Sequence, residues 1–417
     1  MLRMILWCSL CMSCTVAFAQ EDSAGEKAAD ESSALTASSS STSSNIVQQY
    51  LYDGQFAAGE TAVLLALDES PDDGELRFGL GVLRFVQAVE RLGQALYEYG
   101  AVSLNAQGAP FLRLPVQPND DPSAISYQEL GRVLECFAAD LRRAEATLAE
   151  VKDDNVKLPL RLNRISFQFG TDQDNKTEVI RAMDTRRVNL QASDPDLLIH
   201  FDRGDVAWLR AYCHLMMAMV EGYRSIDEKA GFGDRVGQVF PKMEDHVESP
   251  QRDWELGLKL VDPPRLRRMR MHMLAVCKLN RETWQYIRAE TDDDHEWLPN
   301  ADQTDQLGLT ISKAQIDAWL AMMDEAEKVL DGRVLVPSFL LRYVAPEHKQ
   351  GLGLSFKKLL DDPPADIFNF KRLRENGIAA KYLEDESDDN VMNLNAMFTA
   401  FQMFNGPFGF HRAARMN

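Results

Sequence analysis

Past its first twenty residues, this chain of 417 has no long uninterrupted apolar run. The richest later stretch, 205–223, carries Arg210, His214 and Glu221, so no bilayer span is expected there. Positive charge is also short: 45 Lys and Arg stand against 64 Asp and Glu, a net of −19. That balance argues against nucleic acid or an anionic membrane as partner, since both need a basic face. Cysteine is scarce. Cys8, Cys11 and Cys14 fall in the N-terminal apolar segment, leaving Cys136, Cys213 and Cys277. Three is odd, and each sits far from the others in an apolar helical pattern, so no disulfide framework is written. They read as small buried thiols, with one pairing still open in an oxidising compartment. Motifs of the G-x-S-x-G, H-E-x-x-H, Walker and G-x-G-x-x-G kinds are missing. No cofactor set and no metal set is expected from the sequence.

What is present begins with an export signal. Arg3 gives a positive start, Met4 to Val16 is almost wholly apolar, and Ala17-Phe18-Ala19 is a small-x-small cleavage site. The run is too short to span a bilayer. Residues 1–19 therefore read as a signal peptide, and the product as periplasmic or extracellular. Cleavage removes Arg3 and makes the chain one unit more acidic. Gln20 to Ser44 is rich in Ser and Ala and acidic. It has too little to bury to offset its ordering entropy, so a disordered linker is expected over 20–44.

Structure is expected from Asn45, with a helical region over 45–155 and a mainly helical region with short strands over 156–417. Near the start, Tyr50-Leu51-Tyr52-Asp53-Gly54-Gln55-Phe56 is followed by Gly59, Ala66-Leu67 and Pro71. An aromatic, a turn glycine, a second aromatic, small residues and a closing proline at these offsets resemble the later part of a tetratricopeptide repeat, over about residues 40–100. The resemblance implies an antiparallel helical hairpin and a surface of the kind used for protein contacts.

Local signals place further elements. Ser126 and Glu129 announce a helix whose apolar residues, from Tyr127 to Val151, recur every three or four positions. Asp262-Pro263-Pro264 starts another, running to about Glu290. Ser312 and Gln315 cap a third, with Gly332 past its end. Asn390 is expected to cap a last helix. Leu158, Leu160 and Leu162 alternate, then Ile165, Phe167 and Phe169 in the other phase, which suggests short strands around a bend. Asp196 to Asp202 and Arg333 to Val344 are the other strand candidates. The fold class expected is mainly α with a small β component.

The chemistry-bearing stretch is His200 to Tyr223, HFDRGDVAWLRAYCHLMMAMVEGY. Asp205 is its expected N-cap. Beyond it the helix is apolar nearly all round, except that Arg210, His214 and Glu221 fall within about 40° of one another. One reading is a polar pocket at 200–221. In it His200 or His214 carries a proton, Asp202 or Asp205 orients it or binds metal, and Arg210 clamps an anion. The other is a buried helix whose polar residues are capped and paired. Asp172-Gln173-Asp174 hints at a calcium loop, but Thr177 and Met183 stand where Gly and Glu would be needed. The acidic runs Asp292–Glu296 and Glu384–Asp389 read as solvated loops, with a weak surface cation as the alternative. Met269-Arg270-Met271-His272-Met273 reads as core filling rather than a soft-metal motif. The arginines Arg265, Arg267, Arg268 and Arg270 either neutralise acids in the fold or meet a partner. The function expected is an exported, non-enzymatic protein-binding or scaffold protein. The alternative is an exported enzyme, a hydrolase for example, centred on 200–221.

Overall fold

Helices form where apolar residues recur at three and four, and each long helix packs on its neighbours in the chain. The computed structural model describes residues 42–106, 110–172, 176–179, 197–227, 237–244, 259–303 and 311–403. The expected signal peptide, most of the linker and the core of the 172–174 loop lie outside these residues.

The first helix, α1, spans Thr42–Tyr52 and begins three residues inside the expected linker. Long-range hydrogen bonds explain the early start: Ser43 donates to Asp73 at 2.6 Å and Ser44 to Glu75 at 2.8 Å. Gly54, at φ +68°, turns the chain into α2 (Phe56–Glu69), a conformation that costs glycine nothing. Gly59 then meets α1 so closely that a Cβ there would stand 2.6 Å from that of Tyr50. The two helices pack on each other, and α3 (Gly74–Glu98) packs against both.

The array continues with α4 (Tyr127–Leu148), α5 (Arg203–Arg224), α6 (Pro263–Ile287) and α7 (Lys313–Asp331), each packed on the one before. Their starts follow local chemistry. Ser126 accepts from the Glu129 amide, Pro263 opens α6, and Ser312 with Gln315 forms a reciprocal box. Gly332 closes α7 at φ +84°. Shorter helices α8 (Ser338–Leu341), α9 (Phe356–Asp361), α10 (Phe370–Asn376) and α11 (Leu394–Met403) complete the described set. α11 lies on α7, and α9 lies on both α6 and α7.

Among the described residues the β component is four two-stranded antiparallel ladders: β1 (Leu158–Arg161) with β4 (Leu198–Phe201), β2 (Ser166–Phe167) with β3 (Thr177–Glu178), β5 (Ile226–Asp227) with β6 (Lys259–Leu260), and β7 (Leu352–Leu354) with β8 (Leu383–Asp385). The bend between β1 and β2 is a short 3-10 turn over Leu162–Arg164. Two sequence expectations fail in this half. Arg333–Val344 is not a strand. Leu335 and Val336 make only isolated bridges, after which Pro337, lacking an N–H, leads into α8. Asn390 does not cap the last helix. Its side chain closes a turn by accepting from Ser387 N and donating to Asp385 O, and α11 begins four residues later.

One apolar cluster runs from Val47 through Trp208, Trp284 and Trp319 to Tyr382. A second fills the space between α3, α4 and α5, around Leu134, Leu141 and Met217. The arginines of α6 neutralise acids: Arg265 and Arg268 reach Glu221 at 3.0 Å each, and Arg270 reaches Asp361 at 2.7 Å. Among the described residues the three cysteines are free, with Cys213 and Cys277 buried and, against the sequence expectation, Cys136 exposed. Among the described residues, no helix is long and apolar enough to cross a membrane.

Candidate metal centre

β4 delivers the first residues of the site. His200 lies opposite Pro159 in the ladder, and its amide donates to the His295 carbonyl at 3.1 Å. The other edge of β4 is thus covered by the segment that follows α6. At Asp202 the chain turns into α5, and Asp202, not Asp205, is the N-cap. Its Oδ1 accepts from the Gly204 amide at 2.8 Å, while Asp205 Oδ2 accepts from the Asp202 amide at 3.1 Å. Asp205 occupies the third helical position, where a Glu commonly closes the reciprocal box. The shorter Asp reaches back because the helix start is buried; Asp205 is 4% exposed.

The segment 288–303 brings the remaining groups. Trp297 anchors it, edge-on to Trp208 at 5.7 Å and beside Phe201 at 6.0 Å. Asn300 donates to the Ile287 carbonyl, and Gln303 donates to the Asp292 carbonyl and to Glu290. Held in this way, Glu296 is buried, while Glu290, Asp294 and His295 are half-buried beside the start of α5. The sequence reading of Asp292–Glu296 as a solvated loop holds for Asp292 and Asp293, which are exposed, and fails for Glu296, which is only 5% exposed.

Two sets of donors result. In the first, Asp202, Glu290 and Glu296 place one carboxylate oxygen each within 4.8 Å of one another. In the second, His200, Asp294 and His295 do the same with two imidazole nitrogens and one carboxylate oxygen. Two oxygen ligands on opposite sides of one Ca²⁺, at about 2.4 Å each, stand about 4.8 Å apart, so both sets are compact enough for a single ion. They touch through the Asp294 amide, which donates to Glu296 Oε1 at 3.2 Å.

Their electrostatics differ. Asp294 accepts from His200 Nδ1 at 2.8 Å and from Lys157 Nζ at 3.2 Å. Burial works against its charge, but these partners hold it below the ordinary carboxylate range. Lys157 also pairs with Asp292 at 2.8 Å. The all-carboxylate set has less relief, from Gln303 on Glu290 and from the Asp294 amide and the more distant Lys157 on Glu296. Among the described residues, no Lys or Arg forms an ion pair with Asp202, Asp205, Glu290 or Glu296. Burial, then the charge of Asp202, pushes Glu290 up to about 8. Burial pushes Glu296 up to about 7, with Asp202 adding to it. The same two causes drive Asp205 well above the usual range. Carboxyls gathered without a cation must hold protons near neutral pH or take a cation from solution. An all-oxygen set suits a hard ion such as Ca²⁺, Mg²⁺ or Mn²⁺. The His–Asp–His set suits a borderline ion such as zinc.

The five residues singled out in the sequence therefore separate. His200, Asp202 and Asp205 come together at the start of α5. Arg210 and His214 face α4 and α6 instead. Arg210 donates twice to Glu145, at 3.0 and 3.1 Å, and His214 meets His272. With Glu221 tied to Arg265 and Arg268, the polar stripe of α5 is a seam between helices. Glu290 was missed in the sequence, whereas Asp294, His295 and Glu296 fell within an acidic run read as a solvated loop with a weak surface cation as the alternative. The available signal was a large apolar residue, Trp297, directly after an acidic run that contains a histidine; a solvated loop has no need of that anchor.

Two surface clefts lie elsewhere. One, of about 400 Å³, is lined by Tyr97, Asn119 and Phe169 among others; the second, of about 470 Å³, lies between α2, α3 and α4. Neither borders 200–205 or 290–296. The chain matches no protein-family model, no curated protein and no solved structure.

Proposed function

We propose that this chain is an exported helical binding protein, non-enzymatic, whose array is locked by a hard divalent cation. Asp202, Glu290 and Glu296 hold the ion, and Asp205 adds negative charge behind them. The observation that carries this reading is the convergence of these carboxyls without a basic partner. The ion would staple the segment after α6 to the start of α5, whose packing on α6 organises the centre of the fold. The helical faces then serve a protein partner. Leu64 and Leu65 on α2 and Phe339 and Tyr343 around α8 are large apolar side chains left exposed, which suits that use.

The His200–Asp294 pair favours a second reading, an exported hydrolase in which Asp294 orients His200 as proton carrier. That reading needs a cleft at the pair that is open to a substrate.

The test is thermal unfolding of chelator-treated protein with and without millimolar Ca²⁺, Mg²⁺ or Mn²⁺ at about pH 8. Binding a hundredfold above the dissociation constant stabilises by about 2.7 kcal/mol, and the midpoint rises. An unmoved midpoint with all three ions refutes the proposal.

A further inference from the structure

We infer that the contact between His214 and His272 is an acid-sensitive latch, closing α5 onto α6 at neutral pH and opening in acid. It goes beyond the cation reading and does not depend on it. The two Nδ1 atoms stand 2.9 Å apart and the ring centroids 5.1 Å apart. At that separation one ring donates its N–H and the other accepts with its lone pair. His214 turns its Nε2 toward Glu145 on α4, at 3.6 Å. One positive charge on the pair is therefore matched by a carboxylate, and a second is not.

The surroundings make the second charge costly. Glu145 is already shared with Arg210 of α5. Arg142 of α4 and Arg268 of α6 both oppose a charge on His272. Next to His214 in sequence, Cys213 is a buried thiol pushed up by burial and therefore neutral, and Tyr212 is likewise pushed up by burial. The acids that α7 and α9 bring to α6 are committed elsewhere: Asp324 and Glu327 to Arg281, and Asp361 to Arg270. A second proton would set two N–H donors face to face, destroy the hydrogen bond and leave two imidazolium rings in contact.

Burial first, and the charge of His214 second, depress His272 to about 4, against an ordinary 6.5. The folded chain thus binds fewer protons there than the unfolded one. The stability conferred by neutral His272 is present above pH 6.5 and is lost as pH falls through 6.5 toward 4.

Hydrogen exchange on the full chain at about pH 7.5 and about pH 4.5, corrected for intrinsic exchange, tests the latch. Amides of α5 and α6 should lose protection on the order of a hundredfold in acid, while α7 reports any general loosening. In His272→Asn, which keeps an acceptor for His214 but takes no proton, the loss should be at least tenfold smaller. Equal losses in the two proteins, or no loss in the wild type, overturn the inference. Should the variant fail to fold, the His272 ring resonance of the wild type decides: a titration midpoint below about 5 supports the latch, and one near 6.5 overturns it.

Discussion

Replacing Glu290 by Gln in the metal-free protein should change how stability varies with pH. Glu290 is pushed up to about 8 by burial and by the charge of Asp202, from an ordinary 4.5. Between those values the folded chain keeps a proton that the unfolded chain has released. A raised carboxyl of this kind favours folding relative to the ionised form at low pH, and the folded state weakens as pH climbs from about 4.5 to about 8. The slope is about 1.4 kcal/mol per pH unit for one proton. Over pH 6 to 8 that amounts to about 2 kcal/mol, reduced to about 1–2 kcal/mol because the carboxyl is partly exposed and water screens it. Gln is nearly isosteric, can still meet Gln303, and does not titrate. Urea unfolding of chelated wild type and E290Q at pH 6, 7 and 8 measures the difference. From pH 6 to pH 8 the wild type should lose about 1–2 kcal/mol relative to E290Q, which should be the more stable of the two at pH 8. With a divalent cation added the order should reverse, because the variant has lost a ligand. Parallel pH slopes would show that Glu290 is not held protonated, and the argument for a cation would lose its main support.

Further perturbations test the packing around the site. Arg270 is buried and binds both Asp361 and the Leu330 carbonyl; Arg270→Met should cost about 3 kcal/mol in urea unfolding, because the Asp361 carboxylate loses a buried partner. A methyl group at Gly79 would stand 2.3 Å from Val47, so Gly79→Ala should cost about 1–3 kcal/mol by forcing α1 away from α3, and a midpoint equal to wild type would contradict that fit. Thiol labelling of the native protein should modify Cys136 alone, because burial pushes Cys213 and Cys277 up, the latter to about 12; reaction of all three before unfolding would contradict the burial of α5 and α6.

How much of this was legible depends on the range of the interactions involved. The starts of α4, α6 and α7 were plain because Ser126, Asp262-Pro263 and Ser312 with Gln315 act within one turn. Gly54 and Gly332 were plain for the same reason. The cap of α5 was misread by three residues: two aspartates share one box, and only burial decides which leads. Arg333–Val344 has the composition of a strand, yet Pro337 and the anchoring of Ser338 by Glu386 divert it. The candidate metal centre was half visible. His200, Asp202 and Asp205 lie together in sequence, but Glu290, Asp294, His295 and Glu296 reach them from some ninety residues away, across the packing of α5 on α6. Nothing local in the 288–303 segment says which way its carboxylates turn; Trp297 decides that, and it does so only once its pocket exists. His214 was read toward His200 because they are close in sequence. His214 lies about three turns along α5 from the β4 end that carries His200, and His272, its actual partner, comes from α6.

The most direct test is equilibrium dialysis of the chelated protein against Ca²⁺, Mg²⁺ and Mn²⁺, with elemental analysis of the bound metal. The wild type should retain one ion per chain at about pH 8. The triple variant Asp202→Asn, Glu290→Gln, Glu296→Gln keeps a competent N-cap in Asn and should retain none. A wild type that binds no ion, or a triple variant that binds as many as the wild type, would contradict a cation at this centre.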